Sequence, residues 1–143
     1  MALTVDTCVV GSAYTPSDKN HERAEHVLRQ IFAGEHQVYM PFTALTEVVC
    51  KLSNILLGHG KDPDLAVSFG DLLPMESSIN WVSVDREFAY DAAMFGRLHR
   101  LRGMDALYAY TAFKFNCELL TTDNDFFKSA NKAIKVRHLG ELK

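Results

Sequence analysis

The stretch Ala2-Leu-Thr-Val-Asp6 decides the fold, because a short apolar run that ends in a carboxylate is typical of a buried strand. The run from Cys117 to Thr121, with Asp123 just beyond it, repeats this pattern late in the chain. Two further strands are predicted at 37–40 and 79–84. Helical patterns separate these strands, which predicts an α/β fold: an α/β/α sandwich with a mainly parallel central sheet.

Five helices are predicted from apolar residues that recur every three or four positions. They begin at or just after residues that favour helix starts or turns: Asn20, Thr43, Pro63, Asp85 and Gly103. The segment between Asp6 and Asn20 contains the turn residues Tyr14-Thr-Pro-Ser-Asp18 and is predicted as a loop. The length of 143 residues fits one domain spanning residues 1–143.

Composition points to an ordinary globular protein, with 48% apolar and 23% charged residues. No apolar run approaches the roughly 18 residues that a membrane helix needs, and the first residues lack the features of a secretion signal. A cytoplasmic protein with no membrane partner is therefore predicted. The three cysteines, Cys8, Cys50 and Cys117, have apolar neighbours and no CxxC spacing, which predicts buried free thiols.

The formal net charge of −3 disfavours a protein that binds nucleic acid tightly through its overall field. A nuclease of this charge would depend on metal ions and on local basic patches. Two such patches are candidates, one at Arg97, His99, Arg100 and Arg102, the other at Lys128, Lys132, Lys135, Arg137 and His138. Solvent-exposed helix faces explain both patches equally well.

Four acidic residues stand where chemistry is expected. Asp6 and Asp123 follow predicted strands, and ligands of parallel sheets gather beyond the carboxyl ends of strands. For either residue alone, capping a helix is the commoner explanation. Glu47 lies one turn into an apolar helix and Asp105 opens another, and a buried carboxylate is costly unless it is paired or bound to a metal.

Such carboxylates would repel one another if they met at one edge of the sheet, unless a hard divalent cation neutralised them. Oxygen ligands without a placed imidazole or thiolate suit Mg²⁺ or Mn²⁺ rather than zinc. Sites of this kind act on phosphate esters through a metal-activated water, with either one or two metal ions.

The four acids occur within motifs that resemble the PIN-domain family. These motifs are Val5-Asp6-Thr7, Thr43-Ala-Leu-Thr-Glu47, Asp105-Ala-Leu-Tyr-Ala-Tyr-Thr-Ala and Leu119-Leu-Thr-Thr-Asp123-Asn-Asp125-Phe126. Each is weak by itself, but their order and spacing over nearly the whole chain form a fairly specific signal. The chain is most similar in pattern to the single-domain VapC-like toxins of toxin–antitoxin pairs.

The resemblance implies an endoribonuclease that depends on Mg²⁺ or Mn²⁺, with Asp6, Glu47, Asp105 and Asp123 as its catalytic metal ligands. It implies that Thr7 supports Asp6 or a water, and that Asp125 is a secondary acid. A helix cap before Phe126 is a slightly better explanation of Asp125. The resemblance also implies an RNA substrate, a homodimer and a cognate antitoxin whose peptide crosses the acidic groove.

Two other functions compete with this hypothesis. The first is a PIN-like module that binds RNA or an antitoxin without cleaving RNA. The second is a phosphatase-like domain with Asp6 as the nucleophile, which Thr7-Cys8 disfavours because such domains usually start with Asp-x-Asp.

Aromatic residues of the last predicted helix allow two interpretations. Tyr108, Tyr110, Phe113 and Phe115 could stack on RNA bases, but their spacing turns some of them toward the core. Core packing is predicted for Phe113.

Overall fold

A computed structural model describes residues 2–141 of the protein, in which five strands alternate with seven α-helices. The strands are β1 (Ala2–Val5), β2 (Gln37–Pro41), β3 (Ile79–Val82), β4 (Glu118–Thr121) and β5 (Val136–His138). The helices are α1 (Thr7–Ala13), α2 (His21–Phe32), α3 (Ala44–Gly58), α4 (Asp64–Leu72), α5 (Arg86–His99), α6 (Gly103–Lys114) and α7 (Asn124–Ala130). Two 3₁₀ turns cover Leu73–Met75 and Leu139–Glu141.

The five strands form one sheet in the order β3-β2-β1-β4-β5, and every described pair is parallel. The central strands are buried because helices cover both faces: α1 contacts α2 and α3 on one side, and α5 packs on α6 on the other. Leu3, Leu119 and Leu120 are fully buried between these layers. The predicted α/β fold with a mainly parallel sheet is confirmed.

The strand order reverses at β1, because the chain adds β2 and β3 on one side of it and β4 and β5 on the other. Val5 pairs with Leu120, so β1 and β4 end side by side. Crevices at such reversal points are the usual ligand sites of open parallel sheets. Asp6 and Asp123, which follow these two strands, therefore lie where a ligand site is expected.

Three predictions of secondary structure were wrong. The predicted loop after Asp6 begins with α1, a buried helix that starts with the very next residue. β5 was not predicted, because a three-residue edge strand in a basic segment has almost no hydrophobic pattern. β3 ends at Val82, two residues before the predicted end.

Several predictions of burial were also wrong. Cys50 is exposed and Cys8 is only partly buried, whereas Cys117 is buried as predicted, and all three are free thiols. Phe113 is 57% exposed and does not fill the core, because its ring packs near the surface against Phe95 of α5 and Tyr110 of the same helix.

The second predicted basic patch is partly neutralised within the protein. Lys135 Nζ lies 3.3 Å from one oxygen of Glu118, and Arg137 Nη2 lies 3.0 Å from the other. These pairs join β4 to the edge strand β5.

Among the helices of residues 2–141, none has both the length and the apolar character that crossing a bilayer requires.

The close contact between α5 and α6 sets the position of α6, the helix that carries Asp105. A Cβ atom added to Gly96 of α5 would lie 2.5 Å from the Cβ of Ala106 in α6, a distance that real Cβ atoms essentially never show. Ala106 directly follows Asp105. The absence of a side chain at Gly96 therefore lets α6 approach α5 and carry Asp105 to its place.

We expect Gly96→Ala to lower the free energy of unfolding by about 2 kcal/mol, because overpacking typically costs 1–3 kcal/mol and exceeds the gain in helix propensity. The melting temperature should fall by roughly 5 °C. Gly103→Ala is the control, because a Cβ there meets nothing within 4 Å. Urea unfolding of both variants checks this, and a Gly96→Ala protein as stable as Gly103→Ala would contradict the packing.

Candidate active site

Asp6 lies at the carboxyl end of β1 and is only 6% exposed. Its Oδ1 accepts a hydrogen bond from the backbone N–H of Cys8 (3.2 Å), so the helix cap that the sequence allowed is present at the start of α1. Its Oδ2 accepts bonds from the Thr121 hydroxyl and the Cys8 thiol, both at 2.8 Å. Asp6 is therefore oriented by donors from β4 and from α1.

Asp123 follows β4 in the same way and caps α7. Its Oδ1 accepts the backbone N–H groups of Asp125 (2.8 Å) and Phe126 (3.0 Å). The prediction that Asp125 provides this cap was wrong, because Asp125 already lies in the first turn of α7 and Asp123 stands at the capping position. The other oxygen, Oδ2, receives Nη2 of Arg102 at 2.9 Å.

Asp105 lies in the first turn of α6, where its Oδ2 accepts a 2.6 Å bond from Nε of Arg102. Burial raises the pKa of the Asp105 carboxyl, Arg102 lowers it, and the charges of Asp6 and Asp123 raise it further, with a net increase. Three of the four predicted acids are thus close enough for their charges to repel.

The pKa of Asp123 moves in the opposite direction. Burial raises this pKa, but the amide of Phe126 and the guanidinium of Arg102 favour the charged form and together outweigh burial, so the pKa is lowered. The pKa of Asp123 is therefore shifted below, and the pKa of Asp105 above, that of a free aspartate.

Glu47, the fourth predicted acid, lies on α3 and is half-buried. The Tyr108 hydroxyl donates a 2.7 Å hydrogen bond to its Oε2. Tyr108 is 1% exposed, and burial, then the bond to Glu47 and the charges of Glu47 and Asp6, raise the pKa of its phenol far above the usual range. The partner expected for a carboxylate in this apolar helix is therefore a tyrosine on α6.

Thr7 is fully buried, and its hydroxyl makes no hydrogen bond to Asp6, although it lies beside the Tyr108 hydroxyl. The predicted bond from Thr7 to Asp6 is therefore not formed, since Thr121 and Cys8 occupy that role. Thr7 supporting a water stays a prediction.

The chemistry of these donors fits a hard divalent cation, because carboxylate and hydroxyl oxygens are the ligands that Mg²⁺ and Mn²⁺ prefer. Asp105 and Asp123 already converge on one cationic group, the guanidinium of Arg102. Across residues 2–141, no three His, Cys, Asp or Glu side chains lie close enough together to form a metal cluster. Asp105 and Asp123 are thus the pair best placed to hold a metal. The carboxylates of Asp6 and Glu47 instead accept hydrogen bonds from neutral side chains.

Sequence reasoning named Arg102 only as part of a basic patch and Tyr108 only as a possible base-stacking residue. It did not identify these two residues, Cys8 or Thr121 as partners of the acids. Arg102 carried one signal, because it precedes Asp105 by three residues, the spacing of a helical ion pair. Cys8 and Thr121 carried only their proximity to Asp6 or Asp123 in the chain. Tyr108 gave no signal of its partner, since 61 residues separate it from Glu47.

Comparison with known proteins relates the chain to one family and one fold. A family model described as "PIN domain" matches residues 3–132. A comparison with curated proteins gives no match.

Solved structures show the same fold. VapC20 of Mycobacterium tuberculosis, described as a sarcin–ricin-loop-cleaving toxin, is 15% identical and has a TM-score of 0.69, covering 88% of this chain and 93% of that chain. FitAcB of Neisseria gonorrhoeae is 17% identical with a TM-score of 0.65, over 98% and 99% of the two chains. VapBC2 of Rickettsia felis, bound to a promoter DNA fragment, is 15% identical with a TM-score of 0.65, over 96% and 98%.

We expect Tyr108→Phe to lower the free energy of unfolding by about 1.5–3 kcal/mol, because it leaves the half-buried Glu47 carboxylate without its donor. Tyr110→Phe is a matched control on the same helix, since it removes only a 3.2 Å bond to Asp91. We expect a loss below about 0.5 kcal/mol for this control. Equal stabilities of the two variants in urea unfolding would show that the bond to Glu47 contributes little.

We expect the three thiols to differ strongly in reactivity. Burial, then the charge of Asp6 and its hydrogen bond, raise the pKa of Cys8 to about 12, and burial raises the pKa of Cys117, whereas Cys50 is exposed. Because the thiolate is the nucleophile, iodoacetamide at pH 8 should label Cys50 at least roughly a hundredfold faster than the other two. Peptide mapping by mass spectrometry measures the rates, with urea-unfolded protein as the control. Rapid labelling of native Cys8 would contradict its environment.

Proposed function

The chain belongs to the PIN domain family, as the four sequence motifs predicted, and we propose that it is an endoribonuclease that depends on Mg²⁺ or Mn²⁺ and acts as the toxin of a type II toxin–antitoxin pair. The observation that carries this proposal is the convergence of Asp105 and Asp123 on one cation beside Asp6, at the point where the strand order reverses. Carboxylates gathered in this way have a chemical use if they bind a divalent metal at a phosphodiester.

In the proposed reaction, Asp6, Glu47, Asp105 and Asp123 are the metal ligands. The bound metal would activate a water and stabilise the negative charge that develops on the phosphate. The protein contributes orientation: Thr121 and Cys8 hold the carboxylate of Asp6, and Tyr108 holds that of Glu47. Thr7, whose hydroxyl is fully buried beside Tyr108, would hold a water, and Asp125 would be a secondary acid beside the pocket.

An RNA substrate is supported by the solved relatives, of which VapC20 is described as cleaving the sarcin–ricin loop. Because the net charge of −3 disfavours RNA binding through the overall field, we assign RNA contacts to local cations near the acids. Arg100 lies in the same shallow cavity of about 200 Å³ as Asp105 and Asp125. We expect a cytoplasmic location, where such an RNA is found.

An antitoxin and a second copy of the chain are proposed as partners. The solved relatives include a VapBC complex and a toxin–antitoxin complex from Klebsiella pneumoniae. The segment from Asp62 to Met75 exposes large apolar side chains that either partner would cover: Leu65, Val67, Leu72 and Met75. Apolar surface of this kind on one helical segment is typical of a protein–protein interface.

One observation favours the alternative, a PIN-like module that binds RNA or an antitoxin without cleaving RNA. Arg102 occupies both Asp105 and Asp123, and a permanent ion pair there would leave no place for a metal. The ion pairs are exposed on the arginine side, so they are weak enough to be displaced, and we therefore favour the enzyme.

A cleavage assay separates the two functions. Wild-type protein with Mn²⁺ should cut a sarcin–ricin-loop hairpin or total bacterial RNA, and an excess of chelator should stop the reaction. Asp105→Asn should slow cleavage at least about a hundredfold, because an amide holds a divalent cation far less well than a carboxylate. Asp91→Asn, which alters a carboxylate bonded only to Tyr110, is the control and should retain activity.

No cleavage of any RNA by wild-type protein with Mg²⁺ or Mn²⁺ would favour the binding module. Equal rates for Asp105→Asn and Asp91→Asn would also contradict the proposal, because the activity would then come from elsewhere in the protein or from a contaminant.

A further inference from the structure

Arg102 binds two acids of the proposed metal site at once. It stands at the N-cap position of α6, its side chain is 69% exposed, and its Nε and Nη2 donate to different carboxylates, at 2.6 Å to Asp105 and 2.9 Å to Asp123. A guanidinium can do this because its donors form a rigid planar fork, which a lysine ammonium lacks.

The two carboxylate oxygens of Asp123 have different hydrogen-bond partners. Oδ1 of Asp123 already accepts the backbone N–H groups of Asp125 and Phe126 in capping α7. The oxygen that remains free of the helix cap is Oδ2, and this is the oxygen that Arg102 holds. A divalent cation that binds Asp123 through Oδ2 therefore competes with the guanidinium for this oxygen.

We propose that Arg102 is a positioning residue that keeps Asp105 and Asp123 converged in the metal-free protein and competes directly with the divalent cation for them. This inference rests on the proposed function, because it requires a metal at these acids. It adds a specific role for a residue outside the predicted metal ligands: Arg102 sets the metal concentration at which the site fills.

The exchange is physically reasonable in both directions. Without a counter-charge, Asp105 and Asp123 would repel each other, and their charges already act on one another in the structure. The ion pairs of Arg102 are weak enough to break, because the guanidinium is mostly in solvent, and a divalent ion brings twice its charge. The released side chain has room in the adjoining cavity of about 200 Å³, which Arg100 and Ser129 also line.

Direct Mn²⁺ binding to the full chain tests the proposal, measured by titration calorimetry and by the loss of the free-Mn²⁺ electron paramagnetic resonance signal. We expect Arg102→Gln to bind Mn²⁺ about fivefold more tightly than wild type, because it removes the competing charge. Arg102→Lys should lie between the two, since it keeps the charge but not the fork. Mn²⁺ should also raise the melting temperature of Arg102→Gln more than that of wild type.

Arg29→Gln is the matched control. It removes the same charge and also breaks an exposed ion pair, of 2.7 Å to Glu25. Arg29 lies in the last turn of α2, and the chain then enters β2 at its amino end. Arg29 is therefore near the amino ends of the strands, whereas Asp6 and Asp123 follow the carboxyl ends of β1 and β4. Its Mn²⁺ affinity should equal that of wild type.

The outcomes are distinguishable. Arg102→Gln that binds Mn²⁺ with the affinity of wild type, or more weakly, overturns the role of Arg102 but leaves the metal site standing. Equal tightening by Arg102→Gln and Arg29→Gln also overturns it, because the effect would then be one of net charge. No Mn²⁺ binding by wild type or by any variant overturns the proposed function together with this inference.

Discussion

Repulsion between carboxylates at the adjacent ends of β1 and β4 is the constraint on which the site depends. The sheet brings Asp6 and Asp123 to one edge because Val5 pairs with Leu120, and α6 adds Asp105. Different groups stabilise these carboxylates: Thr121 and Cys8 donate hydrogen bonds to Asp6, the start of α7 donates to Asp123, and the positive charge of Arg102 joins Asp105 to Asp123. Arg102, the central cation, is held by ion pairs that are exposed on the arginine side.

In both Asp6 and Asp123, one carboxylate oxygen caps a helix and the other oxygen makes a separate set of contacts. Each caps the helix that follows its strand through one oxygen, which fixes the direction of the side chain. The second oxygen accepts hydrogen bonds from Thr121 and Cys8 in Asp6 and from Arg102 in Asp123. A helix cap therefore occupies only one oxygen of each carboxylate, so capping by itself does not exclude the proposed metal role of these residues.

The packing of α6 links the core to the site. On its buried side, Ala106 packs against Gly96 and the Tyr108 hydroxyl donates a hydrogen bond to Glu47. The position of α6 therefore sets the distance between two predicted ligands, Asp105 on this helix and Glu47 on α3. The outer side of the same helix leaves Phe113 exposed, which is the reason that its predicted place in the core was wrong. Aromatic residues on a helix of mixed surroundings do not reveal from spacing alone which of them face the sheet.

The sequence by itself determined the α/β class, four of the five strands, the family and the four candidate acids, because these depend on short local patterns: an apolar run, a terminal carboxylate and their order in the chain. Only the tertiary structure decided that a helix follows Asp6 directly, that Asp123 rather than Asp125 caps α7, and that Tyr108 and Arg102 are the partners of the acids. These contacts join residues as many as 61 positions apart, and no local pattern specifies which side chains meet when a sheet and two layers of helices pack together.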